Sequence, residues 1–204
     1  MNLPNKITMS RIFIVPVFMV FILPLPDFFI ETNLLAWMRP QLMAFNYFIS
    51  IYGSYIAAAI FIIASSTDGI DGYIARKRQQ VTRFGIFLDP VADKLLVTSA
   101  LIALVQRGDL TGWAALIIIS RELIVMGLRL VASGEGVVIA ASKWGKIKTV
   151  LQIIAITAAL LKNFPLDLFT TFDFSSFAMA LAIFATLYSM YDYLVKNIKF
   201  IKSE

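Results

Sequence analysis

The chain contains neither cysteine nor histidine among its 204 residues. The missing cysteines exclude disulfides, thiolate metal ligands and cysteine nucleophiles, and the missing histidines exclude imidazole bases and the Ser-His-Asp triad. Charged residues are also scarce, at 15% of the chain against about 25% in a typical soluble domain. Any catalysis must therefore use carboxylates, amines, hydroxyls or a metal ion held by oxygen ligands.

Apolar residues make up 59% of the chain, which predicts an integral membrane protein and no nucleic-acid partner. A helix that crosses the bilayer core needs about 20 mostly apolar residues. Six stretches reach or approach that length: 12–29, 42–66, 84–105, 112–131, 147–161 and 174–195. We expect a single all-α membrane domain over residues 1–204, with six transmembrane helices and a short juxtamembrane helix in residues 1–11.

Positive charge is unevenly distributed between the loops of this six-span arrangement, which puts both termini on one side of the membrane. Thirteen Lys and Arg side chains fall on the side of the termini, and three fall on the other side, namely Arg39, Arg107 and Lys162. Cytoplasmic loops carry the excess of Lys and Arg in membrane proteins. We therefore expect a multi-pass protein of the cytoplasmic membrane with both termini in the cytoplasm.

The third stretch differs from the others because its apolar part, Leu95–Val105, is too short to cross a bilayer. An extension back to Phe84 supplies the missing length but includes Asp89 and Asp93. Charged groups at such a depth are costly and usually face a cavity or a partner. The length of this helix therefore makes its two aspartates candidate functional residues.

Two pairs of aspartates flank the turn between the second and third stretches. Asp68 and Asp71 are three residues apart and Asp89 and Asp93 are four apart, so each pair shares one face of a helix. A short connection makes the two helices antiparallel neighbours. Four carboxylates directed at one volume repel each other unless protons or cations neutralise them.

An all-oxygen donor set favours hard cations such as Mg²⁺, Mn²⁺ or Ca²⁺. Two such ions suit an in-line displacement at phosphorus. Small residues between the two pairs would let a bulky ligand approach the backbone, and Arg76 could offer its guanidinium to a phosphate. A proton relay and simple helix capping are the alternatives.

The run from Asp68 to Asp93 is similar to the signature of the CDP-alcohol phosphotransferases, D-x2-D-G-x2-A-R-x8-G-x3-D-x3-D. Its eight fixed positions are all filled: Asp68, Asp71, Gly72, Ala75, Arg76, Gly85, Asp89 and Asp93. Within that family, segments 2–11, 120–122 and 142–149 are most similar to those of bacterial phosphatidylglycerophosphate synthases.

The resemblance implies transfer of the phosphatidyl group of CDP-diacylglycerol to sn-glycerol 3-phosphate, with release of CMP. It implies two divalent ions, Mg²⁺ or Mn²⁺, on Asp68, Asp71, Asp89 and Asp93, with Asp93 also acting as the catalytic general base. The CDP-binding residues that it implies are Asn5, Thr8, Arg11, Asp68, Gly72, Ala75, Arg76 and Gly85. Membrane lipid and a second copy of the chain, in a homodimer, are the further partners that it implies.

A second group of candidate residues is basic, and we predict that it binds the acceptor phosphate: Arg121, Lys143, Lys146 and Lys148. Arg121 lies roughly 13 Å along the fourth stretch, so its side chain is expected to face the helix bundle interior. An ion pair with Glu122 or Asp192 is the structural alternative for Arg121, and contact with anionic lipid is the alternative for the lysines. The tyrosines near the end of the sixth stretch are expected at the membrane interface: Tyr188, Tyr191 and Tyr193.

Other functions remain open at this point. The acceptor could instead be phosphatidylglycerol, inositol phosphate or serine. A cation-coupled or proton-coupled transporter could use the aspartates as its ion site. No matching set of acids lies on the opposite side of the predicted membrane, which argues against the transporter.

Overall fold

The computed structural model describes residues 3–78, 83–134, 136 and 142–197, and it describes their side chains except in 3–8, 11, 33–35, 67–78, 83–90 and 93. Every regular element in these ranges is helical, which confirms the all-α prediction for them. The α-helices are α1 (Leu3–Ile22), α2 (Asp27–Glu31), α3 (Arg39–Arg78), α4 (Arg83–Gln106), α5 (Gly112–Gly134), α6 (Lys143–Leu160) and α7 (Phe174–Lys196). Short 3₁₀ helices cover Asn33–Met38 and Leu166–Leu168.

The chain divides into two compact units, Met1–Arg107 and Gly108–Glu204. In the first unit, α1 packs against both α3 and α4. Phe18 and Phe61 are fully buried, and their ring centroids lie 6.3 Å apart. At Gly53 a Cβ atom would lie only 2.2 Å from the Phe21 carbonyl oxygen, so α1 and α3 approach each other at a position that only glycine fits.

The first predicted span was too long at its carboxyl end. We expected it to run to Phe29, but α1 ends at Ile22 and a new helix begins at Asp27. Pro24 and Pro26 lack the N–H groups that a continuing helix requires. Asn46 of α3 stabilises the break, since its side chain accepts from the Leu25 N–H at 2.8 Å and donates to the Leu25 carbonyl at 3.0 Å.

Two other boundaries differ from the prediction. Residues 3–11 belong to α1 without a break, where a separate juxtamembrane helix was expected; this segment contains no glycine, and its one proline, Pro4, lies in the first turn, where proline is tolerated. Helix α3 extends 12 residues past Ser66, the predicted end of the second membrane span, to Arg78. That prediction covered only the uncharged run, and the helix continues beyond it through Asp68 and Asp71.

The second unit consists of α5, α6 and α7, with α7 in contact with both of the others. Small residues line much of the buried surface, including Ala155 and Ala159 of α6 and Ala178, Ala182 and Ala185 of α7. Such residues allow close approach of two helix backbones where lipid rather than water surrounds them.

Two segments of the described residues are long and apolar enough to cross a membrane, Ala36–Ser66 and Phe174–Lys196. Shorter apolar helices cover Ile12–Ile22 and Lys94–Gln106. Many large apolar side chains face outward, among them Phe13, Phe184 and Trp113. The six-span count, the orientation of the termini and the single-domain organisation stay predictions.

Candidate functional site

The aspartate motif lies on two consecutive helices. Asp68 and Asp71 belong to α3, whereas Asp89 and Asp93 belong to α4, and residues 79–82 connect the two helices. The side chains of these aspartates lie outside the described ones, as do those of the other predicted donor-site residues: Asn5, Thr8, Arg11, Gly72, Ala75, Arg76 and Gly85. Their predicted roles stay predictions. Within the side chains that are described, no group of three or more acids forms a candidate metal site.

A buried polar network occupies the interior of the second unit. The Nη2 atom of Arg121 donates to the Ser189 hydroxyl at 2.6 Å, and its Nη1 atom lies 3.7 Å from Oε1 of Glu122. The Lys148 ammonium donates to the same Oε1 atom and forms an ion pair with it. Arg121 and Glu122 are each 6% exposed, Lys148 is 2% exposed and Ser189 is fully buried. Charged groups at this level of burial are rare unless they are paired.

Each helix brings at least one polar residue into this network from its buried stripe. On α5, Arg121 and Glu122 lie between the buried residues Ile118 and Val125, at helical spacing. The buried stripe of α6 is Lys148, Gln152, Ala155, Ile156, Ala159 and Leu160, and that of α7 includes Ala182, Thr186, Ser189 and Tyr193. Helix packing therefore brings the polar positions of three separate stripes together.

The amino end of α6 lies beside the Arg121 guanidinium. Ser142 caps this helix by accepting from the Gly145 N–H at 3.0 Å. A Cβ atom added at Gly145 would lie 3.8 Å from Nη2 of Arg121 and 3.9 Å from the Ser189 hydroxyl. A helix amino terminus carries a partial positive charge and N–H groups without intrahelical partners. Two positive groups are thus held next to each other.

Among the described residues of this unit, several buried polar atoms have no hydrogen-bond partner. Four of them belong to nitrogen or hydroxyl donors, on Arg121 Nε, Arg129 Nε, Gln152 Nε2 and the Tyr193 hydroxyl, and Asp192 Oδ2 is an acceptor. Arg129 also lies 5.6 Å from the centre of the Tyr193 ring, in a cation–π contact. Buried donors without partners are costly. Oxygen atoms of an anionic ligand would satisfy those that face it.

The predicted basic residues fall into two environments. Arg121 is buried, which confirms that it faces the bundle interior, and Glu122 links it to Lys148. Lys143 and Lys146 are exposed in the first turn of α6. Their predicted contact with the acceptor phosphate stays a prediction.

Of the two structural alternatives for Arg121, the ion pair with Glu122 is present at 3.7 Å, whereas among the described contacts Asp192 pairs with Lys196 at 2.6 Å. The interfacial position predicted for Tyr193 is wrong, because this residue is 2% exposed. Tyr191 does face outward, at 66%. Sequence reasoning did not identify Ser189 or Gln152, although the recurrence of polar residues on the buried stripes of α6 and α7 was a usable signal.

Comparison with known proteins gives a consistent result across the chain. The family model of CDP-alcohol phosphatidyltransferase matches residues 1–188. A CDP-diacylglycerol--glycerol-3-phosphate 3-phosphatidyltransferase of Bacillus subtilis is 48% identical over 203 residues, which cover 99% of this chain and 98% of that protein.

More distant relatives have similar names. A protein of Haemophilus influenzae with the same name is 39% identical over 165 residues, covering 78% of this chain and 75% of the relative. A probable phosphatidylglycerophosphate synthase of Mycobacterium tuberculosis is 35% identical over 199 residues, covering 97% of this chain and 82% of the relative.

Proposed function

We propose that this chain, which belongs to the CDP-alcohol phosphatidyltransferase family, transfers the phosphatidyl group of CDP-diacylglycerol to sn-glycerol 3-phosphate. The products are phosphatidylglycerophosphate and CMP. The observation that carries the choice of a phosphorylated acceptor is the buried Arg121 guanidinium beside the amino end of α6. Glu122 compensates only one of the two buried cations Arg121 and Lys148, so a neutral acceptor such as serine would leave positive charge uncompensated.

The aspartate motif is the proposed donor site. Its four acids lie at helical spacing on α3 and α4, and the chain offers neither cysteine nor histidine as a competing ligand. This all-oxygen donor set fits hard divalent cations such as Mg²⁺ or Mn²⁺. When bound by Asp68, Asp71, Asp89 and Asp93, two such ions would neutralise the pyrophosphate and stabilise CMP as the leaving group.

Asp93 has a second proposed role, as the general base. The acceptor hydroxyl must lose its proton as it attacks the β-phosphorus, and a carboxylate in position can accept that proton. The proposed role of Arg76 is to bind a phosphate of the donor through its guanidinium. The rest of the proposed CDP site comprises Asn5, Thr8, Arg11, Asp68, Gly72, Ala75 and Gly85.

The acceptor phosphate would bind at the amino end of α6. Arg121 already donates to Ser189 through Nη2, while its Nε atom has no hydrogen-bond partner among the described residues. Lys143 and Lys146 extend the positive surface from the first turn of the same helix, and Lys148 contributes a buried positive charge. Arg121 is the centre of this site because a buried guanidinium binds phosphate oxygens with defined geometry.

We also propose that the protein crosses the cytoplasmic membrane six times, through α1 and α3 to α7. Both termini and the site would face the cytoplasm, as the loop charges predict. The outward-facing apolar side chains would contact lipid, so the acyl chains of the donor need not leave the membrane. A homodimer is the proposed assembly.

Release of CMP by the detergent-purified protein tests this function directly. CDP-diacylglycerol is supplied with Mg²⁺, with and without sn-glycerol 3-phosphate, and in a parallel reaction with a chelator. We expect release that requires both the metal and the acceptor. No release, with activity on phosphatidylglycerol, inositol phosphate or serine instead, would overturn the proposed acceptor.

If no acceptor supports CMP release, the assignment of this protein as an enzyme is wrong. Ion flux in proteoliposomes without CMP release would favour the transporter instead.

A further inference from the structure

Glu122 is a buried acid to which the proposed reaction gives no role. It is 6% exposed, and it contacts two buried cations, Arg121 and Lys148. Its Oε1 atom accepts a hydrogen bond from the Lys148 ammonium and lies 3.7 Å from Nη1 of Arg121. One carboxylate oxygen therefore holds two positive side chains that come from different helices.

A carboxylate at this position weakens the binding of a phosphate nearby. The phosphate and the carboxylate repel each other, and the carboxylate cancels one of the two positive charges. Its benefit is conformational. A lysine side chain has many rotamers, and binding is stronger when that freedom is lost before the ligand arrives. Glu122 fixes Lys148 in this way, while the Ser189 hydroxyl fixes Nη2 of Arg121.

We infer that Glu122 is a positioning residue for the acceptor site, which orders Lys148 and Arg121 before sn-glycerol 3-phosphate binds. This inference rests on the proposed function. It makes the carboxylate part of the acceptor specificity without any contact with the substrate. Positioning of this kind should appear in the apparent KM for the acceptor and leave the apparent KM for the donor unchanged.

The test compares Glu122→Gln with wild type in the CMP-release assay, with each substrate titrated in turn. We expect the apparent KM for sn-glycerol 3-phosphate to rise about tenfold, the size of one lost charge-assisted hydrogen bond. The apparent KM for CDP-diacylglycerol should change less than about twofold. Asp192→Asn is the matched control, since it removes the acid of another lysine pair, on α7; both of its KM values should remain at wild type.

A buried ion pair is often structural, and loss of one partner leaves the other charge uncompensated. The double variant Glu122→Gln with Lys148→Met removes both charges and should recover most of any lost thermal stability. If the pair were only structural, Glu122→Gln would lower Tm but leave the acceptor KM at the wild-type value. Positioning predicts that the acceptor KM of Glu122→Gln is raised, and that a given concentration of sn-glycerol 3-phosphate raises the Tm of this variant less than that of wild type.

The outcomes separate the two claims. If wild type releases no CMP with sn-glycerol 3-phosphate, the proposed function fails and this inference fails with it. If wild type is active and Glu122→Gln has a normal acceptor KM, the function stands and the positioning role is wrong. Equal rises for donor and acceptor would also overturn the positioning role.

Discussion

The acids of the first unit and the charged network of the second unit are assembled differently. The four aspartates all lie within residues 68–93, and helical spacing orders each pair on its own helix. The network instead joins residues that are distant in sequence, since Lys148 and Glu122 are 26 positions apart and Arg121 and Ser189 are 68 apart. Local spacing survives small changes in packing, whereas long-range contacts exist only when the helices are packed.

This difference has a consequence for mutations. A change at a motif aspartate should affect chemistry more than stability, because the proposed role of these acids is to bind divalent ions. A change in the network should affect acceptor binding, and at its paired positions stability as well. Substitutions in the two regions can sharpen this contrast or contradict it.

Asp89→Asn should have the largest effect. An amide is a weaker ligand than a carboxylate for a hard divalent cation, so we expect CMP release to fall about a hundredfold or more at ordinary Mg²⁺. Tm should stay near that of wild type. Asp167→Asn is the control, because that acid is exposed in the connection between α6 and α7. Full activity of Asp89→Asn would remove this residue from the metal site.

Asp93→Asn should lower turnover more than it weakens donor binding. An asparagine cannot accept the proton of the acceptor hydroxyl, and general-base catalysis contributes about a hundredfold or more. Steady-state kinetics with CDP-diacylglycerol varied would show kcat falling by that amount while the donor KM changes little. Unchanged turnover would exclude Asp93 as the base, and a change confined to the donor KM would leave it only a role in binding.

Arg121→Ala tests the network in the second unit. Loss of its charge-assisted hydrogen bonds to a phosphate should raise the apparent KM for sn-glycerol 3-phosphate about ten- to a hundredfold. The donor KM should change far less. Lys196→Ala removes the same charge from an exposed position at the end of α7, and it should leave both KM values unchanged. A KM change confined to the donor would contradict the placement of the acceptor site.

The fold could be predicted from sequence where local signals are strong. Helix α4 was expected over 84–105 and α7 over 174–195, and both are correct to within one residue at each end. The apolar runs there end at charged residues or at a cap such as Asp173. Helix α2 was missed because it has only five residues, too few for a periodic pattern to emerge.

The site was predictable only in part, because local signals indicate which residues are buried but not which residues they contact. The depth of Arg121 in a long apolar run was enough to predict that it is buried. Its partner could not be predicted, since no local rule relates Arg121 to Ser189 on another helix. Tyr193 was predicted to lie at the membrane interface because tyrosines are common there. Tyr191 does face outward, but Tyr193 faces the core. Only the packing distinguishes the two.

Gly53→Ala should lower the stability of the first unit, because Gly53 lies where α1 and α3 pack against each other. The added Cβ would lie 2.2 Å from the Phe21 carbonyl oxygen. This is a backbone atom, so relief of the clash requires a shift of α1 or α3. We expect the free energy of unfolding to fall by about 1–3 kcal/mol, seen as a lower Tm in detergent. Gly127→Ala is the control, because nothing lies within 4 Å of its added Cβ and alanine favours the helix. An equal Tm for the two variants would refute the close approach of α1 and α3.

Asp173 should give the smallest effect, and only in acid. Hydrogen bonds from Ser176, Asn163 and Ser175 lower the pKa of this carboxyl well below its ordinary value of 3.8. The Ser176 N–H and the Asn163 amide donate at 3.1 and 2.9 Å. Because the folded pKa is the lower one, this stabilisation is present above about pH 4 and is lost as the pH falls toward the folded pKa.

The variant Asp173→Asn should therefore be less stable than wild type near neutral pH, and the difference in Tm should shrink as the pH is lowered below about 4. The exposed Asp167→Asn variant on the same connection serves again as the control. Asp173 caps α7, the helix that brings Ser189 to Arg121, so a small rise in the acceptor KM should accompany the loss of stability. A rise in the donor KM instead would mean that Asp173 does not act through the network. The contact between Ser189 and Arg121 would then depend less on the packing of α7 than we infer.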